Sequence, residues 1–169
     1  MPNVTLCGFM GSGKTTVGKA LAKRLGFSFA DTDAEIENRA GMTVAEIFEK
    51  MGEPAFRRME SEVIKELARL DGVVISVGGG TVLNEENVRT LKACGKVVLL
   101  DVDAATVISR LSCDVSRPLL AGPDKEQRAE ALLSERRPLY EAAADIVVDG
   151  RGSAAKVAEK IAEQLKIGG

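Results

Sequence analysis

The sequence predicts an α/β protein, a parallel sheet with helices on both faces. Two observations predict it. Five short apolar runs, "NVTLC", "FSFA", "VVISV", "KVVLLDV" and "DIVV", are separated by amphipathic stretches of helical length. A glycine-rich segment, "GFMGSGKTT", also stands between the first run and the first helical stretch. That is the context in which a strand, a phosphate-binding turn and a helix follow one another.

The elements can be justified in order. After "NVTLC", a helix from Lys14 places Val17, Leu21 and Leu25 on one face, and Gly26 ends it in a left-handed conformation. "FSFA" is the second strand and runs into "DTD". Thr43 and Glu46 have the spacing of a capping box before "VAEIFEKM", and Pro54 sits where a first-turn proline opens a long helix to Leu70. The third strand, "VVISV", leads to Gly78, Gly79 and Gly80. Gly95 closes the helix after Asn84, "KVVLLDV" is the fourth strand, "DIVV" the fifth, and Ser153 caps the last helix. Residues 112–127, "SCDVSRPLLAGPDKEQ", combine two prolines, a glycine and mixed charges, and read as a mobile surface loop. No repeat, low-complexity tract or linker divides the chain, so residues 1–169 are expected to form a single domain.

Composition narrows the function. With 45% hydrophobic and 28% charged residues the chain is an ordinary soluble one, and 23 basic against 25 acidic residues give no overall attraction for nucleic acid or anionic membrane. No segment has the ~18 apolar residues of a membrane span, and the N-terminus lacks the features of a signal peptide. Cys7, Cys94 and Cys113 are widely spaced and suit neither a disulfide framework nor a zinc site, so a cytoplasmic location is expected. Histidine is absent, which leaves carboxylates, lysine, arginine, hydroxyls or a borrowed ion to do any chemistry. A monomer is expected.

Gly8, Gly13, Lys14 and Thr15 match G-x-x-x-x-G-K-[ST]. Glycines let successive N–H groups turn toward one point, the following helix adds its positive end, and lysine supplies a full charge to the β- and γ-phosphates of a nucleotide. Gly11 and Ser12 contribute flexibility, Thr16 is a helix residue near the phosphates, and the Thr15 hydroxyl can ligate Mg²⁺. Two places compete for the carboxylate of a metal site. Asp101 ends an apolar run, whereas Asp31 and Asp33 end the second strand; Asp31 is preferred because Asp33 beside it gives the site a second purpose.

A phosphate cradle alone fits a GTPase, an ATPase or a kinase. The guanine-reading "NKxD" string is absent. "GFMGSGKTTVGKALA", "FADTDAEIE", "GEPAFRRMESEVI", "VISVGGGTV", "SRPLL" and "RRPLY" together resemble the shikimate kinase family in order and spacing, from about Val4 to Val148. The resemblance implies a three-layer P-loop kinase fold with a five-stranded parallel sheet and a mobile lid at about 112–127. It also implies ATP-dependent phosphorylation of the 3-hydroxyl of shikimate, in aromatic amino-acid biosynthesis.

By the same resemblance Arg57 and Arg136 bind the acceptor carboxylate, Asp33 binds and activates the acceptor hydroxyl, and Gly79, between Gly78 and Gly80, touches the ring. Arg117 becomes the lid arginine and Arg151 the approximate counterpart of an adenine-side arginine. The chemistry suits the acceptor: guanidinium forks match carboxylates, and a carboxylate can orient a hydroxyl and take its proton. Other roles stay open. Asp33 could cap the "AEIE" helix, Arg57 could pair with Glu60, Asp101 could be a capping or structural acid, and Arg58 and Arg137 read as solvated charges. Another small-molecule kinase, for gluconate or a nucleoside monophosphate, and a non-catalytic nucleotide-binding module are the alternatives.

Overall fold

A computed structural model describes residues 2–111 and 124–167. Five strands form one parallel sheet: β1 (Asn3–Cys7), β2 (Ser28–Asp31), β3 (Val73–Ser76), β4 (Gly95–Asp101) and β5 (Ile146–Asp149). Their order across the sheet is β2-β3-β1-β4-β5. Every pairing is parallel, with Leu6 opposite both Ser76 and Val98 and Leu100 opposite Val148. Because all strands point the same way, the segments that leave their C-terminal ends converge on one edge, where ligands bind in open α/β sheets.

Alternation along the strands divides the core. Val4, Leu6, Val74, Val98 and Leu100 face α1 (Lys14–Leu25) and α8 (Ala154–Ile167), where Val17, Leu21, Val157 and Ile161 are buried. Val73, Ile75, Val97 and Leu99 face the opposite way. That second core takes side chains from α2 (Thr32–Ala40), α3 (Val44–Met51), α4 (Glu53–Leu67), α5 (Glu85–Cys94), α6 (Ala104–Leu111) and α7 (Lys125–Ala143). Strands buried on both faces need apolar residues at consecutive positions, which is why "VVLL" and "VVI" show no polar alternation.

The punctuation read from the sequence is present. Gly26 adopts φ 71° after α1, the Thr43–Glu46 capping box opens α3, and Lys156 N–H donates to Ser153 Oγ at 3.3 Å at the start of α8. Two boundaries differ. The helix opened by Pro54 ends at Leu67, since Arg69 and Leu70 N–H groups bond to Glu66 and Leu67 in tighter i→i+3 turns. Gly95 does end α5, but at φ 169° it is extended backbone and the first residue of β4. The expected loop 112–127 is shortened at its end by α7, which begins at Lys125; residues 112–123 lie outside the described part.

The sheet's opposite edge is tied by Asn3, which is buried. Its amide donates to Leu70 O at 2.8 Å, and its side-chain oxygen accepts from Val73 N–H at 3.0 Å. One side chain thereby fixes the turn after α4 to the start of β3.

Candidate active site

Between β1 and α1 the chain makes a tight turn in which Gly8, Gly11 and Gly13 have φ of 144°, 75° and 93°. Other residues rarely adopt such values. At Gly8 a Cβ would also lie 2.8 Å from Leu100 O, so the turn is pressed against the end of β4. Lys14, the first residue of α1, folds back over it, and Nζ donates to Gly8 O at 2.8 Å and Phe9 O at 3.0 Å. Gly11, Ser12, Gly13, Lys14, Thr15 and Thr16 thus surround one helix N-terminus, whose positive dipole end favours an anion.

Arg110, on the last turn of α6, was not singled out from the sequence. Its guanidinium donates to Ser12 O at 2.7 Å and to Gly150 O at 2.9 Å, pinning the turn to the segment after β5. No local signal could find it, since its partners lie far away in the chain and an arginine on an amphipathic helix reads as a solvated charge.

Thr15 Oγ1 donates to Asp31 Oδ2 at 3.0 Å. Asp31 Oδ1 accepts from the N–H groups of Asp33 and Ala34 at 3.0 and 3.2 Å, so Asp31 is the N-cap of α2. The alternative role as this cap, considered for Asp33, therefore belongs to its neighbour. A hydroxyl and a carboxylate oxygen this close, at the mouth of a phosphate-binding turn, form a donor set suited to Mg²⁺. Asp101 faces another partner: Arg137 Nη2 stands 3.4 Å from its Oδ1, with both side chains 42% exposed. The capping acid of this region is Asp103, which accepts from Thr106 N–H at 2.8 Å at the start of α6.

Gly78, Gly79 and Gly80 follow β3, and none has a positive φ. What they supply is room. A Cβ on Gly78 would meet Asp33 Oδ1 at 3.2 Å, one on Gly79 would meet Arg136 Nη1 at 3.5 Å, and one on Gly80 would meet Arg57 Nη2 at 2.5 Å. The three expected acceptor residues, from α2, α4 and α7, therefore converge on three successive glycines. Arg57 pairs with Glu60 at 3.0 Å and, more loosely, with Glu53 at 3.4 Å. Glu60 is only 1% exposed, and Thr81 Oγ1 donates to its other oxygen at 2.7 Å. The pairing read as an alternative is thus real, and it fixes the guanidinium beside the glycine turn. Arg136 lies with its guanidinium carbon 5.9 Å from the centre of the Phe9 ring.

Arg151 stands at the same edge, after β5. Its Nη2 is 3.0 Å from Asp149 Oδ2 and its Nη1 3.9 Å from Asp103. Its hydrogen bonds hold the Asp149 carboxyl down at about 2. Arg117 lies outside the described residues. Arg58 is exposed, as expected.

A parallel sheet in this order, with a lysine-bearing phosphate turn and, after β3, a cluster of one carboxylate and two arginines, has the architecture of a P-loop kinase. The family model described as shikimate kinase matches residues 10–166. The chain is 49% identical over 165 residues to a shikimate kinase of Moorella thermoacetica, covering 97% of this chain and 94% of that one. It is 45% identical over 167 residues to that of Thermodesulfovibrio yellowstonii, covering 98% and 96%. Among solved structures, the shikimate kinase from Acinetobacter baumannii in complex with shikimate superposes with a TM-score of 0.94 at 40% identity, covering 99% of this chain and 94% of that one. The chain belongs to the shikimate kinase family.

Proposed function

We propose that the protein transfers the γ-phosphoryl group of ATP to the 3-hydroxyl of shikimate, releasing shikimate 3-phosphate and ADP. The observation that carries this reading is the convergence of Asp33, Arg136 and Arg57 on Gly78, Gly79 and Gly80. A carboxylate and two guanidinium groups at one turn match an acceptor with hydroxyls and one carboxylate.

In this reading Arg57 and Arg136 grip the carboxylate and set the ring's orientation, with the glycine turn leaving space beside it. Asp33 accepts a hydrogen bond from the 3-hydroxyl, orients its oxygen in line with the γ-phosphorus and takes the proton as the new P–O bond forms. Lys14 leaves the carbonyls of Gly8 and Phe9 for the β- and γ-phosphate oxygens, where its charge stabilises the transferring group. Gly11, Ser12, Gly13, Thr15 and Thr16 line the triphosphate, Arg151 serves the base, and Arg117, outside the described residues, is assigned as a further cation for the transferring group. Thr15 and Asp31 would hold Mg²⁺, which supplies charge neutralisation on the phosphates.

The test is ADP release in a coupled assay with shikimate, gluconate, a nucleoside monophosphate or no acceptor. Shikimate-dependent release is expected. Release with another acceptor, or slow release indifferent to acceptor, would replace this assignment.

A further inference from the structure

Tyr140 lies one helical turn after Arg136 on α7 and is 1% exposed. A tyrosine buried this deeply keeps its hydroxyl where protein groups replace water. Its O–H donates to Gly79 O at 2.6 Å, across a separation of 61 residues. A Cβ on Gly79 would meet Arg136 Nη1 at 3.5 Å and the Tyr140 hydroxyl at 3.7 Å, so both side chains reach the same glycine. Burial pushes the phenol's pKa up, so the O–H remains a donor at neutral pH. The phenol therefore ties the turn of α7 that carries Arg136 to the backbone of the glycine turn. Arg57 has a comparable tie, since Glu60 holds it and Thr81 joins Glu60 to the residue after the glycines.

We infer that Tyr140 is a positioning residue for the acceptor: its bond to Gly79 O holds the turn of α7 that carries Arg136 against the glycine turn, and so sets acceptor affinity without touching the acceptor. A long arginine side chain has many rotamers, and two parallel hydrogen bonds to a carboxylate require its plane to be held. The inference rests on the reaction proposed above. Nothing in that reaction requires a phenol; a phenylalanine would fill the same space.

The experiment is steady-state kinetics of Tyr140→Phe beside the wild-type protein, with thermal melts of both. The KM for shikimate should rise about tenfold, the upper worth of one hydrogen bond, while kcat and the KM for ATP stay within about twofold. In an Arg136→Ala background the same replacement should change the shikimate KM less than about twofold, because the residue acts through that arginine. An unchanged shikimate KM, an undiminished effect without Arg136, or a parallel worsening of both KM values with the melting temperature would each overturn the inference. If the wild-type protein did not phosphorylate shikimate, the proposed reaction itself would fail and the inference with it.

Discussion

Thr15 Oγ1 donates to Asp31 Oδ2 at 3.0 Å while the other oxygen of that carboxylate caps α2. One side chain thus anchors the start of α2 and faces a hydroxyl on the first turn of α1. Asp31→Asn should retain most of the cap, because asparagine caps about as well, but lose the charge. The Mg²⁺ concentration for half-maximal rate should rise several-fold with a melting point close to the parent's. Asp31→Ala should in addition lose about 1 kcal/mol of stability. An unaltered Mg²⁺ dependence in Asp31→Asn would place the metal elsewhere.

Lys14→Ala should lower kcat by roughly 10²–10³, the scale for removing one preorganised group that stabilises transition-state charge. The lysine is a helix's first residue on a turn already held by Arg110, so the far-ultraviolet circular dichroism should be unchanged. Near-normal turnover in a folded variant would show that phosphoryl transfer does not depend on this cation.

Arg57→Ala and Arg136→Ala should both raise the KM for shikimate far more than that for ATP. Stability should separate them. Removing Arg57 leaves Glu60, at 1% exposed, with a charge supported by Thr81 but not by its cationic partner. That should cost about 2 kcal/mol more than removing Arg136, below the full value for breaking a buried pair because Arg57 is itself 32% exposed. Urea titrations giving equal losses would remove this role from Glu60.

Gly80→Ala tests the claim that the glycine turn provides room. Gly80 has φ −103° and ψ −2°, which alanine adopts without strain, yet its Cβ would sit 2.5 Å from Arg57 Nη2. The movable end of the arginine should yield. The fold should survive while the shikimate KM rises; an unchanged KM would mean that the displaced guanidinium does not contact the acceptor.

Cys7 lies under the phosphate turn, and burial pushes its thiol up to about 12 although the charge of Lys14 pulls it down. The unfolded chain ionises first, near 9, so from there to about 12 the native state holds the extra proton and stability falls as pH rises. The slope reaches about 1.4 kcal/mol per pH unit. Cys7→Ala should show a shallower loss than the parent between pH 9 and 11 in urea unfolding. Identical slopes would mean that the thiolate is tolerated where it is.

What could be read from the sequence was local. The phosphate turn, the capping box at Thr43 and the stop at Gly26 each use neighbouring residues, so spacing alone reveals them. Asp31 and Asp33 are two residues apart and either could cap a helix; only the strand's end direction decides between them. The roles of Arg110 and Tyr140 escaped because the backbone oxygens they bond, on Ser12 and Gly79, are 98 and 61 residues away. The glycine triplet was visible, but its reason was not. Its emptiness accommodates Asp33, Arg136 and Arg57, which come from three different helices, and no period in the chain encodes that meeting. The long arm of α4 was overextended for the opposite reason: three residues of good helix pattern gave way to tighter turns leading to β3.

Asn3 binds the turn after α4 to β3 at the end of the sheet away from the reacting groups. That tie and the two glycine turns therefore stand at opposite rims of the same scaffold, so an affinity label or immobilising tether belongs on the Asn3 side.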